Sequence, residues 1–254
     1  MPRSPIQILP LPGLPEISSG DDLAQQITEA MRRNVLRAAA GDIFVVAHKI
    51  VSKSEGRMVR LDTIHPSERA RAWAVRYHKD PRLIELVLRE AKRIVKMEQG
   101  VIVAETSHGF VCANAGVDGS NTADGTAILL PEDPDSSARL MQTQFSKRFG
   151  FPVGVIISDT FGRPWREGLV NVALGIAGIA PLIDYRGQKD ASGKTLQATL
   201  IAVADEIASA AELVMGKADG VPVALVRGVQ GTQPAANSTG ARALIRPAER
   251  DIFR

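Results

Sequence analysis

Short apolar runs alternate along this chain with longer segments in which apolar residues recur at helical spacing. The runs are rich in Val, Ile and Leu and are bounded by turn-forming residues, which is typical of buried strands. The segments with helical spacing predict amphipathic helices that pack on those strands. The alternation indicates a mixed α/β (α+β) fold but does not define the strand order. The predicted strands lie at 6–9, 42–47, 101–106, 155–157, 199–202 and 221–228.

Capping residues, prolines and terminal glycines set the limits of the predicted helices. The third helix is rich in Lys and Arg, and its cationic face is expected to be solvated. The helices extend from 18–22 to about Ala40, from 65–68 to Pro81, from Arg82 to about Glu98, from 137 to 149 behind a cap at Asp135 or Ser136, and from 205 to 215.

The composition is that of a globular, water-soluble protein. Of its 254 residues, 44% are hydrophobic and 23% are charged. This supports one unit spanning 1–254, with room for two subdomains whose boundaries the sequence does not define. A formal net charge of +3 is too small to indicate nucleic-acid binding, although a pI of about 9.2 suits anionic substrates.

The expected compartment is the cytoplasm. The N-terminal residues lack the apolar core of a signal peptide, and no apolar stretch is long enough to cross a bilayer. Cys112 is the single cysteine, which excludes an internal disulfide and a multi-cysteine zinc site. It lies in an apolar run, so it is predicted to be a core residue rather than a nucleophile.

The stretch 155–168 concentrates the candidate chemistry. Its apolar start predicts a buried strand, which places Asp159 and Thr160 where a loop containing Gly and Pro begins. A carboxylate beside a hydroxyl at a strand end suits a Mg²⁺ or Mn²⁺ ion that also contacts phosphate. Arg163 and Arg166 in the loop suit the phosphate or a carboxylate. The alternative is a solvated loop in which the aspartate caps a turn and the arginines pair with a neighbouring glutamate.

Lys49 and Lys53 flank an apolar pair. In a strand, both would lie on one face with Val51, so that their ammonium groups could enter one cavity and bind a polyphosphate. The equally weighted alternative is a solvated sheet edge protected by lysines.

The glycine-rich segment 108–121 would allow a ligand to approach the backbone closely. Asp118 and Asn121 bracket a tight turn and are candidates for a metal ligand and for a base or phosphate contact. An Asx-turn explains the same residues without a ligand. His108 is a candidate substrate contact.

The pair Gly216-Lys217 does not match a Walker A motif. The glycine spacing differs, and the lysine precedes a strand instead of opening a helix. A helix-capping glycine followed by an exposed lysine explains the pair without a nucleotide.

Taken together, these segments resemble the coenzyme F420:L-glutamate ligase (F420-0:gamma-glutamyl ligase) family. Each segment alone is weakly specific, whereas their joint occurrence, in this order over nearly the whole chain, is specific. The matching segments are 11–22, 50–57, 79–88, 108–121, 130–138, 157–168 and 203–217.

The resemblance implies a GTP-dependent ligase that joins L-glutamate to the lactyl carboxylate of the coenzyme F420 precursor. The γ-phosphate would activate the carboxylate as an acyl phosphate, and the amine of glutamate would then displace phosphate. Such chemistry needs cations around the triphosphate, expected as two Mg²⁺ or Mn²⁺ ions, with room for K⁺.

The resemblance also assigns roles to residues. It implies that Asp118, Asp159 and Thr160 are metal ligands. The catalytic candidates are Asp118, Asp159, Arg163 and Arg166. At His48 related sequences often carry a smaller polar residue or glutamine, which weakens the nucleotide contact inferred there. The residues assigned to the nucleotide are Leu14, Pro15, Glu16, Ile17, His48, Lys53, Asn121, Met215, Gly216 and Lys217.

The implied fold is an unusual ligase architecture of mixed sheets flanked by helices, in an intertwined homodimer of the stand-alone form. Two other functions remain open on the sequence. One is a different metal-dependent ligase or kinase that uses a nucleoside triphosphate, and the other is a non-catalytic carrier of a deazaflavin or nucleotide. The number of glutamates added, the form of the precursor and the residues that select guanine are not defined by the sequence.

Overall fold

The computed structural model describes residues 5–119, 125–232 and 239–251. Its strands are β1 (Gln7–Pro10), β2 (Ile43–Ala47), β3 (Met58–Arg60), β4 (Ala91–Glu98), β5 (Val101–Thr106), β6 (Val111–Ala113), β7 (Thr126–Ile128), β8 (Gly154–Arg163), β9 (Arg166–Ala177), β10 (Ile183–Asp184), β11 (Leu200–Ile201) and β12 (Val223–Arg227). Its α-helices are α1 (Leu23–Arg33), α2 (His48–Ser54), α3 (Glu68–Tyr77), α4 (Pro81–Glu90), α5 (Pro134–Phe149) and α6 (Val203–Met215).

A five-stranded mixed sheet in the order β1-β12-β2-β8-β9 forms the centre of the fold. Strands β2 and β8 are parallel, and the other neighbours are antiparallel. Alternate side chains of β2 enter opposite cores, as the two-residue period of a strand requires. Phe44 and Val46 pack with α1, α2 and α5, whereas Ile43 and Val45 pack with α6. Helices on both faces of a mixed sheet confirm the predicted α/β class.

A further buried cluster is built from residues between 61 and 129. It joins α3 and α4 to β5, which lies at the centre of the three-stranded sheet β4-β5-β6. Ile84 and Val87 of α4 and Ile102 and Ala104 of β5 are buried there. This segment has its own apolar core beside the two cores of the central sheet.

The predicted basic helix 82–98 is wrong in its second half. Helix α4 ends at Glu90, and residues 91–98 form β4, which pairs antiparallel with β5. Gln99 and Gly100 between the two strands both have positive φ, 49° and 76°, as a tight hairpin turn requires. Pairing with β5 therefore overrides the helical pattern of the sequence.

The segment predicted as a strand containing Lys49 and Lys53 is instead helix α2. The two lysines still lie on one side, because residues four apart on a helix are neighbours. The loop predicted after Thr160 is also wrong. Strand β8 extends to Arg163 and forms a hairpin with β9, with Trp165 in the left-handed region (φ 57°) at its tip.

Other boundaries differ by a few residues. Helix α1 ends at Arg33 instead of about Ala40, because Val35 adopts a left-handed conformation (φ 54°) that stops the helix. Helix α5 begins at Pro134 with Asp133 as its N-cap, earlier than the predicted cap at Asp135 or Ser136. No helix in the described part of the chain is long and apolar enough to span a membrane.

Candidate active site

A cavity of about 430 Å³ opens at one end of the central sheet. This volume lies within the range of about 300 to 1,000 Å³ that is usual for small-molecule sites. We call it the main cavity, and the residues that line it come from four parts of the chain. They are Leu14–Ile17, Ala47–Ile50 with Lys53, Ser158–Thr160 with Asn171, and Glu212, Met215–Ala218 and Gly220–Pro222.

The two parallel strands of the sheet determine where the main cavity lies. In the register of β2 and β8, Ala47 pairs with Ser158, so the residues after them emerge side by side. The chain continues into α2 at His48 and through Asp159 in β8. In open α/β sheets, ligands bind outside the carboxyl ends of parallel strands, and the main cavity occupies this position.

Asp159 is buried beside an imidazole. Its Oδ1 lies 3.3 Å from His48 Nε2, and the side chains of Asp159 and His48 are 16% and 3% exposed. Burial alone would raise the pKa of Asp159. The charge and hydrogen bond of His48, the N–H of Thr160 and the charge of Lys217 outweigh burial and hold that pKa below its ordinary value. The carboxylate is therefore anionic at neutral pH and available to a cation.

Thr160 begins a chain of hydrogen bonds across the cavity wall. Its hydroxyl accepts a 3.0 Å bond from Lys217 Nζ and donates a 2.8 Å bond to Asn171 Oδ1. The amide of Asn171 in turn donates a 2.9 Å bond to Glu212 Oε2. These bonds fix the hydroxyl and link β8, β9 and the end of α6.

The ammonium groups of α2 take part in ion pairs. Lys53 Nζ lies 2.5 Å from Glu16 Oε1, and the Glu16 side chain is 82% exposed. Lys49 Nζ lies 2.6 Å from Asp118 Oδ2, with side chains 17% and 29% exposed. Lys49, Lys53 and Lys217 all line the main cavity. An anionic ligand in this cavity would meet all three cations.

Asp118, a predicted metal ligand, is not among the residues that line the main cavity. Asp118 lines a neighbouring, smaller cavity and is ion-paired with Lys49, which lines the main one. Asn121 lies outside the described residues.

The predicted catalytic arginines lie on the β8–β9 hairpin. Arg163 Nη2 donates a 2.9 Å bond to the carbonyl oxygen of Glu167, and Arg166 is exposed. Neither residue is among those lining the main cavity.

Cys112 and His108 lie outside the main cavity. Cys112 is 7% exposed, and burial together with the charge of Asp159 raises its pKa to about 12. The prediction of a core cysteine is therefore confirmed. His108 Nε2 lies 2.9 Å from the carbonyl oxygen of Glu132, and the ring stacks on Phe110.

The oxygen donors of the main cavity suit a divalent cation. Within 5–119, 125–232 and 239–251, no group of three or more His, Cys, Asp and Glu side chains could hold a metal on its own. Mg²⁺ is usually held by one or two carboxylates, with waters and substrate phosphates completing its shell. Asp159, Thr160 and Glu212 offer two carboxylates and a hydroxyl on one wall, so the donor set fits Mg²⁺ or Mn²⁺ that is shared with a phosphate.

Sequence reasoning missed Asn171 and Glu212. Asn171 is 4% exposed within the apolar run 169–177 of β9, and a buried polar residue in such a run is an informative signal. Glu212 lies near the end of an alanine-rich helix, where its sequence context resembles that of any solvated glutamate.

The fold and the main cavity define a mixed α/β protein with a cationic small-molecule site at the ends of parallel strands. Comparison with known proteins identifies the family. The family model described as F420-0:Gamma-glutamyl ligase matches residues 13–228. The chain belongs to this family.

Relatives named coenzyme F420:L-glutamate ligase align over most of their length. The protein of Methanothermobacter thermautotrophicus is 46% identical over 250 residues, covering 98% of this chain and 99% of that protein. The Methanopyrus kandleri protein is 46% identical over 251 residues, covering 98% of each chain. The Methanocaldococcus jannaschii protein is 48% identical over 215 residues, covering 84% of this chain and 85% of that protein.

Proposed function

We propose that this protein is a GTP-dependent ligase that joins L-glutamate to the lactyl carboxylate of the coenzyme F420 precursor. The observation that carries the proposal is the convergence of the predicted nucleotide residues. Every one of them that lies in the described part of the chain lines the main cavity, although they come from three distant segments, 14–17, 48–53 and 215–217. Family membership supports the ligase class and the substrates.

The proposed reaction has two steps. In the first, an oxygen of the lactyl carboxylate attacks the γ-phosphorus of GTP. A P–O bond forms to the carboxylate, the bond from the γ-phosphorus to the β–γ bridging oxygen breaks, and GDP leaves. The glutamate nitrogen then attacks the acyl carbon of the acyl phosphate, a C–N bond forms, and the C–O bond to phosphate breaks. The ammonium group loses two protons overall, one to the departing phosphate and one to solvent.

The residues of the main cavity would bind and orient the nucleotide. Lys49, Lys53 and Lys217 would pair with the phosphates, since compact ammonium groups suit a polyphosphate. Two Mg²⁺ or Mn²⁺ ions held by Asp159, Thr160 and Asp118 would neutralise the charge of the transferring group. His48 holds the Asp159 carboxylate in place from the buried side. Positioning and charge neutralisation are the main demands of phosphoryl transfer.

The proposal also includes K⁺ as a further ion, a second subunit and a location in the cytoplasm. A buried single thiol is compatible with a reducing compartment. The β8–β9 hairpin carries Trp165 and Leu169, which are 81% and 64% exposed, and such apolar side chains favour burial against a second copy. Light scattering on the purified protein would measure twice the chain mass if the homodimer forms.

Phosphate release tests the proposal against its rivals. A glutamate ligase releases phosphate from GTP only when both glutamate and the deazaflavin precursor are present. A kinase would consume GTP without glutamate, and a carrier would bind the deazaflavin without consuming GTP. Omitting each substrate in turn separates the three functions.

A further inference from the structure

A second cavity, of about 220 Å³, adjoins the main cavity at the Lys49–Asp118 ion pair. Lys49 lines the main cavity and Asp118 lines the second one, so the pair forms the wall between them. Any group held beside Asp118 therefore lies next to the predicted phosphates. The residues lining the second cavity are Trp73, Lys79, Asp80, Leu83, Ile84, Val87, Gly100, Ile102, Asn114, Val117, Asp118 and Gly119.

Two hydrogen-bond donors in the second cavity are unused. Trp73 Nε1 is buried and has no partner within the described residues, and a buried donor left unpaired is costly. Lys79 is exposed and takes part in no ion pair in the described part of the chain; the neighbouring Asp80 carboxylate is bound by Arg82 at 2.6 Å. An ammonium and an indole N–H with no partner suit the oxygens of an acid.

The rest of the second cavity is apolar and small. Leu83, Ile84 and Val87 of α4 and Ile102 of β5 form its walls, and the last three are buried. Its volume is below the range of about 300 to 1,000 Å³ that is usual for drug-sized ligands. It suits an amino acid with a short methylene chain better than a tricyclic ring that carries a long side chain.

The second cavity also borders the main cavity. The Lys49–Asp118 ion pair joins a residue that lines one cavity to a residue that lines the other. The second cavity thus has donors for a carboxylate, apolar walls for methylenes and a boundary with the predicted phosphate site.

We propose that the second cavity binds the amino-acid substrate of the ligase, with a carboxylate at Lys79 and Trp73 and the amine directed towards the boundary with the main cavity. This inference rests on the proposed function and adds the place from which the nucleophile enters. The amine would then lie at the boundary with the main cavity, where the acyl phosphate forms. The segment 79–88, which the family resemblance includes and the nucleotide site does not use, gains a role as one wall of this cavity.

Steady-state kinetics on Lys79→Met and Trp73→Phe test the inference. Trp73→Phe keeps the ring and removes only the N–H. Because a hydrogen bond to a charged group is lost in each variant, KM for glutamate should rise about tenfold or more. KM for GTP and for the deazaflavin precursor should stay within about twofold, and Lys147→Met, an exposed lysine on α5, is the matched control.

Tryptophan fluorescence gives a readout that does not depend on turnover. In a Trp165→Phe background, Trp73 is the only tryptophan, because the chain contains two. Titration with glutamate should change its emission saturably, and Lys79→Met should shift the midpoint about tenfold or more. Leucine at the same concentrations should leave the emission unchanged.

The outcomes separate this inference from the proposed function. If the wild-type protein incorporates no glutamate, the proposed function fails. If it does so while both variants keep the wild-type KM for glutamate, the second cavity is not the amino-acid site. A rise confined to the KM for the deazaflavin also overturns the inference. Thermal melting identifies a variant that fails to fold. If one variant does not fold, the KM of the other variant and the fluorescence titration of the Trp165→Phe protein test the inference.

Discussion

Lys49 and Asp118 are joined by a 2.6 Å ion pair across the wall between two cavities. The lysine comes from α2, directly after the central parallel strand, and the aspartate lies close to the separate core formed by residues 61–129. The pair therefore connects the two parts of the fold at the point where the proposed nucleotide and amino-acid sites meet. Loss of either charge should therefore affect both catalysis and stability.

Replacing Lys49 with Met should lower kcat/KM for ligation by about 10- to 100-fold, because a positioned cation beside the phosphates is lost. The free energy of unfolding should fall by about 1 to 3 kcal/mol, because the largely buried Asp118 carboxylate loses its partner. Ligation kinetics and urea denaturation measure the two effects. Lys147→Met is the control, and equal losses of activity in both variants would contradict the role of Lys49.

Replacing Asp159 with Asn should weaken Mn²⁺ binding by at least about tenfold, because the carboxylate proposed to ligate the metal becomes a neutral amide. Ligation should fall by about 100-fold or more. Isothermal titration calorimetry with Mn²⁺ in the presence of GDP measures the affinity. Asp190→Asn in an exposed loop is the matched control, and an Asp159→Asn protein with wild-type Mn²⁺ affinity would remove this residue from the metal site.

Cys112 should resist alkylation in the folded protein. Its pKa is raised from 9.0 to about 12, so the thiol keeps its proton at pH 8 to 9 and is also shielded from the reagent. Iodoacetamide followed by mass spectrometry should show almost no labelling at pH 8.5 and full labelling in urea. Rapid labelling of the native protein would show that the site is open.

The raised pKa of Cys112 also determines whether stability rises or falls with pH. Because the folded-state pKa is raised, the unfolded state loses the proton first as the pH rises above 9. The contribution of Cys112 is therefore fully present below pH 9 and is lost between pH 9 and about 12. A Cys112→Ala variant should show a shallower fall in unfolding free energy above pH 9 than the wild type, and identical slopes would contradict this sign.

Replacing Gly175 with Ala should destabilise the protein by about 1 to 3 kcal/mol or more, as overpacking of a close contact does. A Cβ at this position would lie 2.2 Å from the carbonyl oxygen of Pro134, so the start of α5 would have to move away from β9. Chemical denaturation measures the loss. Gly162→Ala in β8 is the control, because its added Cβ would make only an ordinary 3.7 Å contact with Leu169.

Most elements of the fold were predictable from local patterns, and the errors occurred where distant pairing decides. Strand β2 and helix α6 followed from their apolar runs. Strand β4 was predicted as helix because its spacing suits both states, and only pairing with β5 selects the strand. Helix α2 has no side-chain N-cap, so its sequence does not indicate that a helix begins after Ala47.

The candidate site was predictable in part for a similar reason. Asp159 and Thr160 were identified from residue chemistry alone, whereas the nucleotide residues of 14–17 and 215–217 came from resemblance to a family. Asn171 and Glu212 are 41 residues apart in the sequence and are joined by a hydrogen bond between β9 and α6. Local sequence carries no information about such a contact.

The most direct test of the central claim is mass spectrometry of the deazaflavin after incubation with the protein, GTP, Mn²⁺ or Mg²⁺, and L-glutamate. The account predicts that the unglutamylated coenzyme gains the mass of one or more glutamyl units, with GDP formed only when glutamate is present. A deazaflavin whose mass is unchanged with every nucleotide supplied would contradict it.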